Sequence, residues 1–445
     1  MATPGNPLSN QKGLGELWAR LKFLLLAILI YRIGTHIPVP GIDPERVANL
    51  FEQNSGTILG MVNMFSGGAF ERMSILALGI MPYISASIIM QMMSAVSPSL
   101  EAIKKEGESG RRKISQYTRW LTVVLALVQA TVTVAGMAGA GFAFAGLHLV
   151  SFYVIAVTSL VTGAVFMMWL GEQITERGVG NGISMLIFAG IVAGLPSAIG
   201  QAFESTRQGD LHPLMLLLIG FAAMGIVWFV VRMERGQRRI TIQYARKQVG
   251  RQGHVAQSTS HLPLKINMAG VIPVIFASSI LLFPASIAQW SSSASEGKVG
   301  EILSQFATMI GPGQPLNFVL FAALIIAFCF VYTAMIYNPK EVADNLKKGG
   351  AYIPGIRPGD QSARYIDNIL TRLTVVGSIY IAGVALLPQF LIYAAGVPVL
   401  LGGTSLLIVV VVVMDFMAQV QSHLMSHQYD SVMKKANLQS YGRQR

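Results

Sequence analysis

His423 and His427 stand four residues apart in SHLMSHQYD, which puts both imidazoles on one face of a helix. A zinc ion would take them with a thiolate or carboxylate alongside. No such ligand is near, and the pair reads as the polar end of an apolar helix. Asp360 and Asp367 lie in RPGD and YIDN, a faint likeness to the paired carboxylates of an intramembrane protease. Both fall in a charged loop rather than an apolar segment, so they read as solvated carboxylates. Cys329 is the sole cysteine; it permits no internal disulfide and gives no metal site. The sequence has no G-x-x-x-x-G-K-[ST] phosphate loop and no H-E-x-x-H helix. We expect no catalytic residue, no metal and no cofactor.

Ionisable residues inside apolar segments mark proton and ion paths. Here they are few: Arg32, Glu172 and Asp415. A proton-coupled carrier more often shows chains of carboxylates or histidines, so these three read as packing or interfacial ion pairs. The residues that recur at helical spacing are apolar instead. Ile80 and Ile84 stand four apart, as do Ile183 and Ile187, and Ile275 and Ile408 lie near the middle of their own segments. Isoleucine in a membrane helix ordinarily faces lipid or a neighbouring helix. If a pathway runs between two halves of the chain, these residues give it an apolar wall. Such a wall closes by dewetting and selects nothing by hydrogen bonds, which suits a substrate without fixed side-chain chemistry. Gln91 and Asn181 are polar groups near helix positions, either helix-to-helix hydrogen bonds or a polar seam.

These residues belong to segments built for a bilayer. Of 445 residues, 53% are hydrophobic and 12% charged, with a mean hydropathy of +0.55. Soluble domains carry about twice that charge. Apolar blocks of about twenty residues match a hydrocarbon core of about 30 Å. Ten spans are predicted, near 22–40, 74–97, 118–138, 151–171, 182–203, 212–232, 268–289, 316–337, 372–394 and 404–425. Each is expected to be a helix, because a span must satisfy its backbone internally. The first is a retained helix rather than a cleaved signal, since no small-residue cleavage site follows it. With the N-terminus inside, 28 of the 33 lysines and arginines fall on the inner side. Only Arg46, Arg72, Arg207 and Lys298 fall outside, with Arg32 inside the first span. That asymmetry places both termini in the cytoplasm and accounts for most of the net charge of +12.

Two inner loops exceed what orientation needs. In the first, RRITIQYARK alternates apolar and polar residues and reads as a short hairpin. The second has a helical start, the hook IPGIRPGD and another helical start at Gln361. Long ordered loops are usually functional, and both read as docking surfaces. Pro82, Pro273 and Pro284 predict helix kinks. Gly190 and Gly194 fit small-residue helix packing. Ten spans divide as five plus five, and an odd number per half inverts one half relative to the other, although no clear identity links residues 1–205 with 206–445. One short stretch departs from the pattern: NMFSGGAFERMS, residues 63–74, is broken by glycines and carries the adjacent pair Glu71–Arg72 just ahead of the second span. Alone, it reads as a re-entrant or extracellular loop.

The runs MFSGGAFERMSILALGIMPYISASII, EGESGRRKISQYTR, MWLGEQITERGVGNGIS, HLPLKINMAGVIPVIFASSILLFP, ADNLKKGGAYIPGIRPG and GGTSLLIVVVVVMDFMAQVQ closely resemble the bacterial SecY family, the central subunits of the general protein-export channel. The likeness covers nearly the whole chain and is weakest in residues 1–12, 135–150 and 290–315. It implies an all-α polytopic membrane protein with ten transmembrane helices in two inverted five-helix halves, a clamshell around a central hourglass pore. By the resemblance, Ile80, Ile84, Ile183, Ile187, Ile275 and Ile408 form the pore ring. The stretch from about 58 to 72 becomes a plug, with Asn63, Met64, Phe65, Ser66, Gly67, Gly68, Glu71 and Arg72. Its glycines, each worth about 1 kcal/mol against a helix, suit a weakly packed element that leaves and returns. Ser85, Gln91, Asn181 and Phe283 fall on or near a lateral gate between the second and seventh helices. Arg357 matches a loop arginine for docking the motor SecA or the ribosome, and Arg238, Arg239 and Arg251 are further candidates toward ribosomal RNA. Phosphate contacts of that kind are salt-sensitive.

The expected organisation is a cytoplasmic tail over 1–21, an N-terminal half over 22–205, a C-terminal half over 206–426 with inner loops at about 233–267 and 338–371, and a tail over 427–445. The resemblance also implies SecE and SecG as smaller subunits, with SecA, the ribosome, unfolded precursors, signal sequences and membrane lipids as partners, in the bacterial inner membrane. The expected function is a protein-conducting channel and not an enzyme. The alternative, a secondary transporter of small solutes, calls for polar residues at mid-depth, which are scarce here.

Overall fold

The computed structural model describes residues 8–43, 46–47, 63, 66–139, 148–209, 212–244, 259–281, 309, 314–395 and 403–441. Helices dominate, because in lipid a chain hides its backbone only by bonding it to itself. In order they are α1 Leu8–Gly34, α2 Met81–Val96, α3 Pro98–Lys105, α4 Glu108–Gly139, α5 Leu149–Arg177, α6 Gly182–Gln208 and α7 Pro213–Glu234. Then come α8 Ile272–Leu281, α9 Pro315–Ile336, α10 Pro339–Lys348, α11 Asp360–Ala395 and α12 Gly403–Tyr441. Each of the ten predicted spans has its helix; α3 and α10 belong to the loops between them. Among the described residues seven helices are long and apolar enough to cross a membrane, while α2 and α8 are shorter apolar helices. In α1 the apolar run is bracketed by Arg20, Lys22 and Arg32.

Several boundaries differ from the expectation, for local reasons. α1 stops at Gly34 instead of running to 40, because Pro38 and Pro40 follow and a residue before proline avoids helical backbone. α2 starts at Met81, not at 74, since Ser74–Ile80 form turns around Met73 (φ 40) and Gly79 (φ 56). Pro82 and Pro273 do not kink their helices. Each is the second residue of its helix, where a missing N–H costs nothing. α8 begins at Ile272, and residues 282–289 of that predicted span, Pro284 among them, lie outside the described residues.

The described residues group into two compact units. One draws on Met1–Gly200, Leu282–Gly311 and Val412–Arg445; the other on Gln201–Leu281 and Pro312–Val411. In the first, Ala126, Ala130, Val134 and Met137 of α4 meet Phe152, Ala156, Leu160 and Ala164 of α5, and Phe70, Met73, Ala77 and Leu78 complete the core. In the second, β1 (Gln237–Tyr244) pairs antiparallel with β2 (Thr259–Lys265), Ile240 facing Leu262. β1 also pairs with β3 (Ala351–Tyr352) through Gln243 and Tyr244. The predicted hairpin is therefore present, and the loop between α9 and α11 adds a third strand to it. Ile240, Leu264, Ile353, Ile366 and Leu370 give this sheet and the start of α11 a core of their own. α10 is capped as its sequence dictates: the Asn338 side chain accepts from the Lys340 amide at 3.2 Å, and Pro339 opens the helix.

Candidate functional site

The turn between Asn63 and Ser74 is held by short bonds that its sequence explains. The Ser66 hydroxyl donates to the Asn63 carbonyl at 3.0 Å and accepts from the Phe70 amide at 3.1 Å. The Asn63 side chain accepts from the Glu71 amide at 3.0 Å, and its Nδ2 donates to the Glu71 carboxylate at 2.9 Å. Gly67 and Gly68 take φ of 68° and 80°, backbone that glycine adopts without strain. A Cβ on Gly67 would lie 2.7 Å from the Tyr31 hydroxyl and 2.9 Å from the Gly190 Cα, so the turn is pressed between α1 and α6. Of the two glycines singled out on α6, Gly190 thus packs against this turn, whereas a Cβ on Gly194 would meet nothing within 4 Å.

The C-terminal end of α1 grips the turn. The Tyr31 hydroxyl donates to the Ser66 carbonyl at 2.9 Å, and Arg32 Nη1 donates to the Gly67 carbonyl at 2.9 Å. Arg32 therefore serves a backbone carbonyl rather than an ion pair. Arg72 Nη1 lies 2.7 Å from His36 Nε2. Below the turn, Pro38 bridges Ser74, with Val39 donating to Met73 and Ile75 to Ile37 at 2.8 and 2.9 Å. Phe70 and Met73 are almost fully buried in the core between α4 and α5. The expected weak packing thus does not extend to Phe70. Met64 and Phe65 lie outside the described residues.

The segment leading into α2 has a counterpart leading into α8, a signal missed in the sequence. Gly79-Ile-Met-Pro-Tyr-Ile-Ser-Ala-Ser-Ile-Ile repeats as Gly270-Val-Ile-Pro-Val-Ile-Phe-Ala-Ser-Ser-Ile. Both glycines have positive φ, 56° and 62°. The Ile84 amide donates to the Ile80 carbonyl at 3.1 Å, as Ile275 does to Val271 at 3.3 Å. Ile84 and Ile275 therefore hold the same place on two helices. Each helix start is braced locally: α2 by the Pro38–Ser74 bridge, α8 by Asn267, whose Nδ2 donates to buried Glu234 at 2.6 Å and to the Gly270 carbonyl at 3.1 Å.

In the first unit Ile80, Ile84 and Ile187 are buried and Ile183 is half-buried. Ile80 and Ile183 converge on Gly171, where an added Cβ would lie 3.4 and 3.8 Å from them. In the second unit Ile275 and Ile408 are buried, and Phe276, next to Ile275, packs edge-on against Phe328 and Tyr332 of α9. Of the gate candidates, Ser85 is half-buried on α2. Gln91 donates to Ser87 within α2 at 2.9 Å, and Asn181 accepts from the Ile183 amide at 3.1 Å at the start of α6. Both bonds are local, and neither links two helices. Phe283 lies outside the described residues. Glu172 is an interhelical ion pair as expected, with Arg119 of α4 at 2.9 Å.

The docking candidates Arg238 and Arg239 are exposed on β1, and Arg251 lies outside the described residues. Arg357 is exposed between Gly355 (φ 81) and Gly359 (φ 108), its carbonyl held by the Ser362 hydroxyl at 3.0 Å. Because β3 leads into that hook, the β1–β3 pairing fastens the hook to the same sheet that carries Arg238 and Arg239. Asp360 and Asp367 are exposed on α11, Asp360 in its first turn.

Comparison with known proteins gives this arrangement a family. A family model described as SecY matches residues 74–417. The Protein translocase subunit SecY of Pseudomonas aeruginosa is 69% identical over 435 residues, covering 98% of this chain and 97% of the relative. Among solved structures, one described as the structure of a protein conducting channel matches with a TM-score of 0.66 at 17% identity, over 92% of this chain and 93% of that one. Another, described as showing that the plug domain of the SecY protein stabilises the closed state of the translocation channel and maintains a membrane seal, matches with a TM-score of 0.65 at 18% identity, again over 92% and 93%. Those two likenesses concern the fold: an all-α, multi-pass membrane protein. With a family match across residues 74–417 and that identity along nearly its whole length, the chain belongs to the SecY family.

Proposed function

We infer that the chain is a protein-conducting channel that moves unfolded secretory polypeptides across the cytoplasmic membrane and releases transmembrane segments sideways into lipid. The observation that carries the reading is the repeated Gly-x-x-Pro-x-Ile helix start, which gives Ile84 and Ile275 one role on two helices, in a chain of the SecY family. Together with Ile80, Ile183, Ile187 and Ile408 they line the constriction. An apolar ring offers a passing chain no hydrogen bonds and so passes any sequence, while it excludes water when empty. The stretch from about 58 to 72 is the plug. Its hinge is the pair Gly67–Gly68, since Phe70 and Met73 are anchored in the core. Ser85 and Gln91 on α2, with Asn181 and Phe283, border the lateral exit.

The lysine and arginine distribution favours cytoplasmic termini and puts the β1–β2–β3 sheet and its hook inside. SecA and the ribosome dock there through Arg357, Arg238, Arg239 and Arg251, and SecE and SecG complete the complex in the inner membrane. Energy comes from SecA or from ribosomal synthesis. The test of the function is transport: vesicles carrying the complex should make a precursor protease-resistant in the presence of SecA and ATP, and no protection would refute it. Arg357→Glu should lower SecA-driven export about tenfold while the channel itself still enters the membrane. Normal export by that variant would remove the docking role.

A further inference from the structure

We propose that Asn267 is a positioning residue: it fastens the start of α8 to the end of α7 and so holds Ile275 in its place. The bearing on transport rests on the channel reading; the fastening itself does not.

Asn267 and Glu234 are both buried, with 5% and 9% of their surface exposed. Glu234 is the last residue of α7, and Asn267 stands three residues ahead of Gly270. The Asn267 Nδ2 lies 2.6 Å from the Glu234 carboxylate and 3.1 Å from the Gly270 carbonyl. A carbonyl only accepts, so the amide nitrogen faces it, and that nitrogen has two hydrogens, one for each partner. One side chain thus joins the last residue of one helix to the glycine that opens the next. Gly270 turns the chain at φ 62°. The Val271 carbonyl then accepts from the Val274 and Ile275 amides at 3.1 and 3.3 Å, so the first turn of α8 runs straight from the fastened residue to Ile275.

Asn267 itself stands on a firm base. The Ile266 amide donates to the Gly236 carbonyl at 3.0 Å, next to the strand pair Gln237 and Lys265. Gly377 of α11 comes so close that an added Cβ would lie 2.8 Å from the Ile266 carbonyl. Almost one turn on, Tyr380 meets Phe229 of α7 edge-on, with ring centroids 5.8 Å apart. The chain is therefore held up to Ile266, and Asn267 carries that hold on to Gly270. The start of α2 is braced differently, by the backbone bonds Val39 to Met73 and Ile75 to Ile37. Those survive a change of side chain, whereas both bonds of Asn267 go with one substitution.

Exchanging the two groups separates the two links. In Asn267→Asp alone, carboxylate faces carboxylate and neither bond forms. Adding Glu234→Gln puts an amide at 234 that donates to the carboxylate at 267 and rejoins α7. No hydrogen is left for the Gly270 carbonyl. A role confined to stability predicts that the exchange repairs everything; a role in placing α8 predicts that it repairs stability alone.

The test uses the full chain with its co-purifying subunits in lipid vesicles, with Cys329→Ser and Ala277→Cys. Ala277 is fully buried on α8, so its reaction with N-ethylmaleimide reports loosening of that helix. Glu234→Gln, which keeps an acceptor for Asn267, should label like the parent. The double variant should unfold near the parent temperature, well above Asn267→Asp alone. It should still label about tenfold faster than Glu234→Gln, the factor that one unmade buried bond carries. Parent-like labelling of the double variant overturns the proposal, as does labelling of Glu234→Gln as fast as that of the double variant. Should the double variant not assemble, Asn267→Ala and Glu234→Ala make the same comparison. Both lose the link to α7 and only the first loses Gly270, so equal labelling of the two overturns the proposal. Faster labelling with no rise in resting ion conductance of the same vesicles would uphold the fastening and remove Ile275 from the constriction.

Discussion

Membranes carrying the chain with both Ile84→Gly and Ile275→Gly should leak ions at rest, with conductance at least about tenfold above that of the parent. These two are chosen because the repeat gives them the same position after Gly79 and Gly270. Water is kept out of a narrow apolar bore by the lack of partners for its hydrogen bonds, and removing two branched side chains both widens the bore and bares backbone. Each glycine also weakens its helix by about 1 kcal/mol, so the variants must be present in the membrane at parent levels for the reading to count. Single-channel recording checks the expectation. Parent-like conductance from an assembled double variant would remove these isoleucines from the ring.

Gly163→Val should prevent the first unit from folding. A Cβ on Gly163 of α5 would overlap the carbonyl of Ile75, which is backbone and cannot rotate away. Overpacking of this kind costs about 3 kcal/mol or more when the neighbour cannot yield, and Ile75 lies on the buried segment that leads into α2. The contrasting substitution is Gly194→Ala on α6. Nothing lies within 4 Å of its added Cβ, and alanine favours a helix by up to about 1 kcal/mol over glycine. Thermal unfolding of the purified complexes separates the two. A folded, parent-like Gly163→Val would contradict the close packing of α5 on the Ser74–Ile80 turns.

The spans were legible in the sequence because bilayer thickness writes itself as blocks of apolar residues. Ile84 was singled out by its four-residue spacing from Ile80, and Ile275 by its depth, while Glu172 was legible as an ion pair by its isolation among apolar neighbours. What stayed hidden depends on single backbone angles and on pairings distant in sequence. Ser74–Ile80 is as apolar as a helix and differs only through Met73 and Gly79 at positive φ. Pro82 and Pro273 suggest kinks until the helix starts are known, and then the same residues explain those starts. β3 is two residues long and carries no period; only its pairing with Gln243 and Tyr244 identifies it. Arg32 looked like a stray charge in a span, yet it holds the Gly67 carbonyl 35 residues away. The family resemblance supplied the plug, whereas the residues alone favoured a plain loop.

The most direct test of the channel places a cysteine in the constriction. With Cys329→Ser and Ile275→Cys, a secretory precursor bearing its own cysteine is stalled during SecA-driven export. The account predicts a disulfide between precursor and channel at position 275. With the precursor demonstrably stalled, the absence of that disulfide, and of one to cysteines at 80 and 408, would mean that the polypeptide travels by another path.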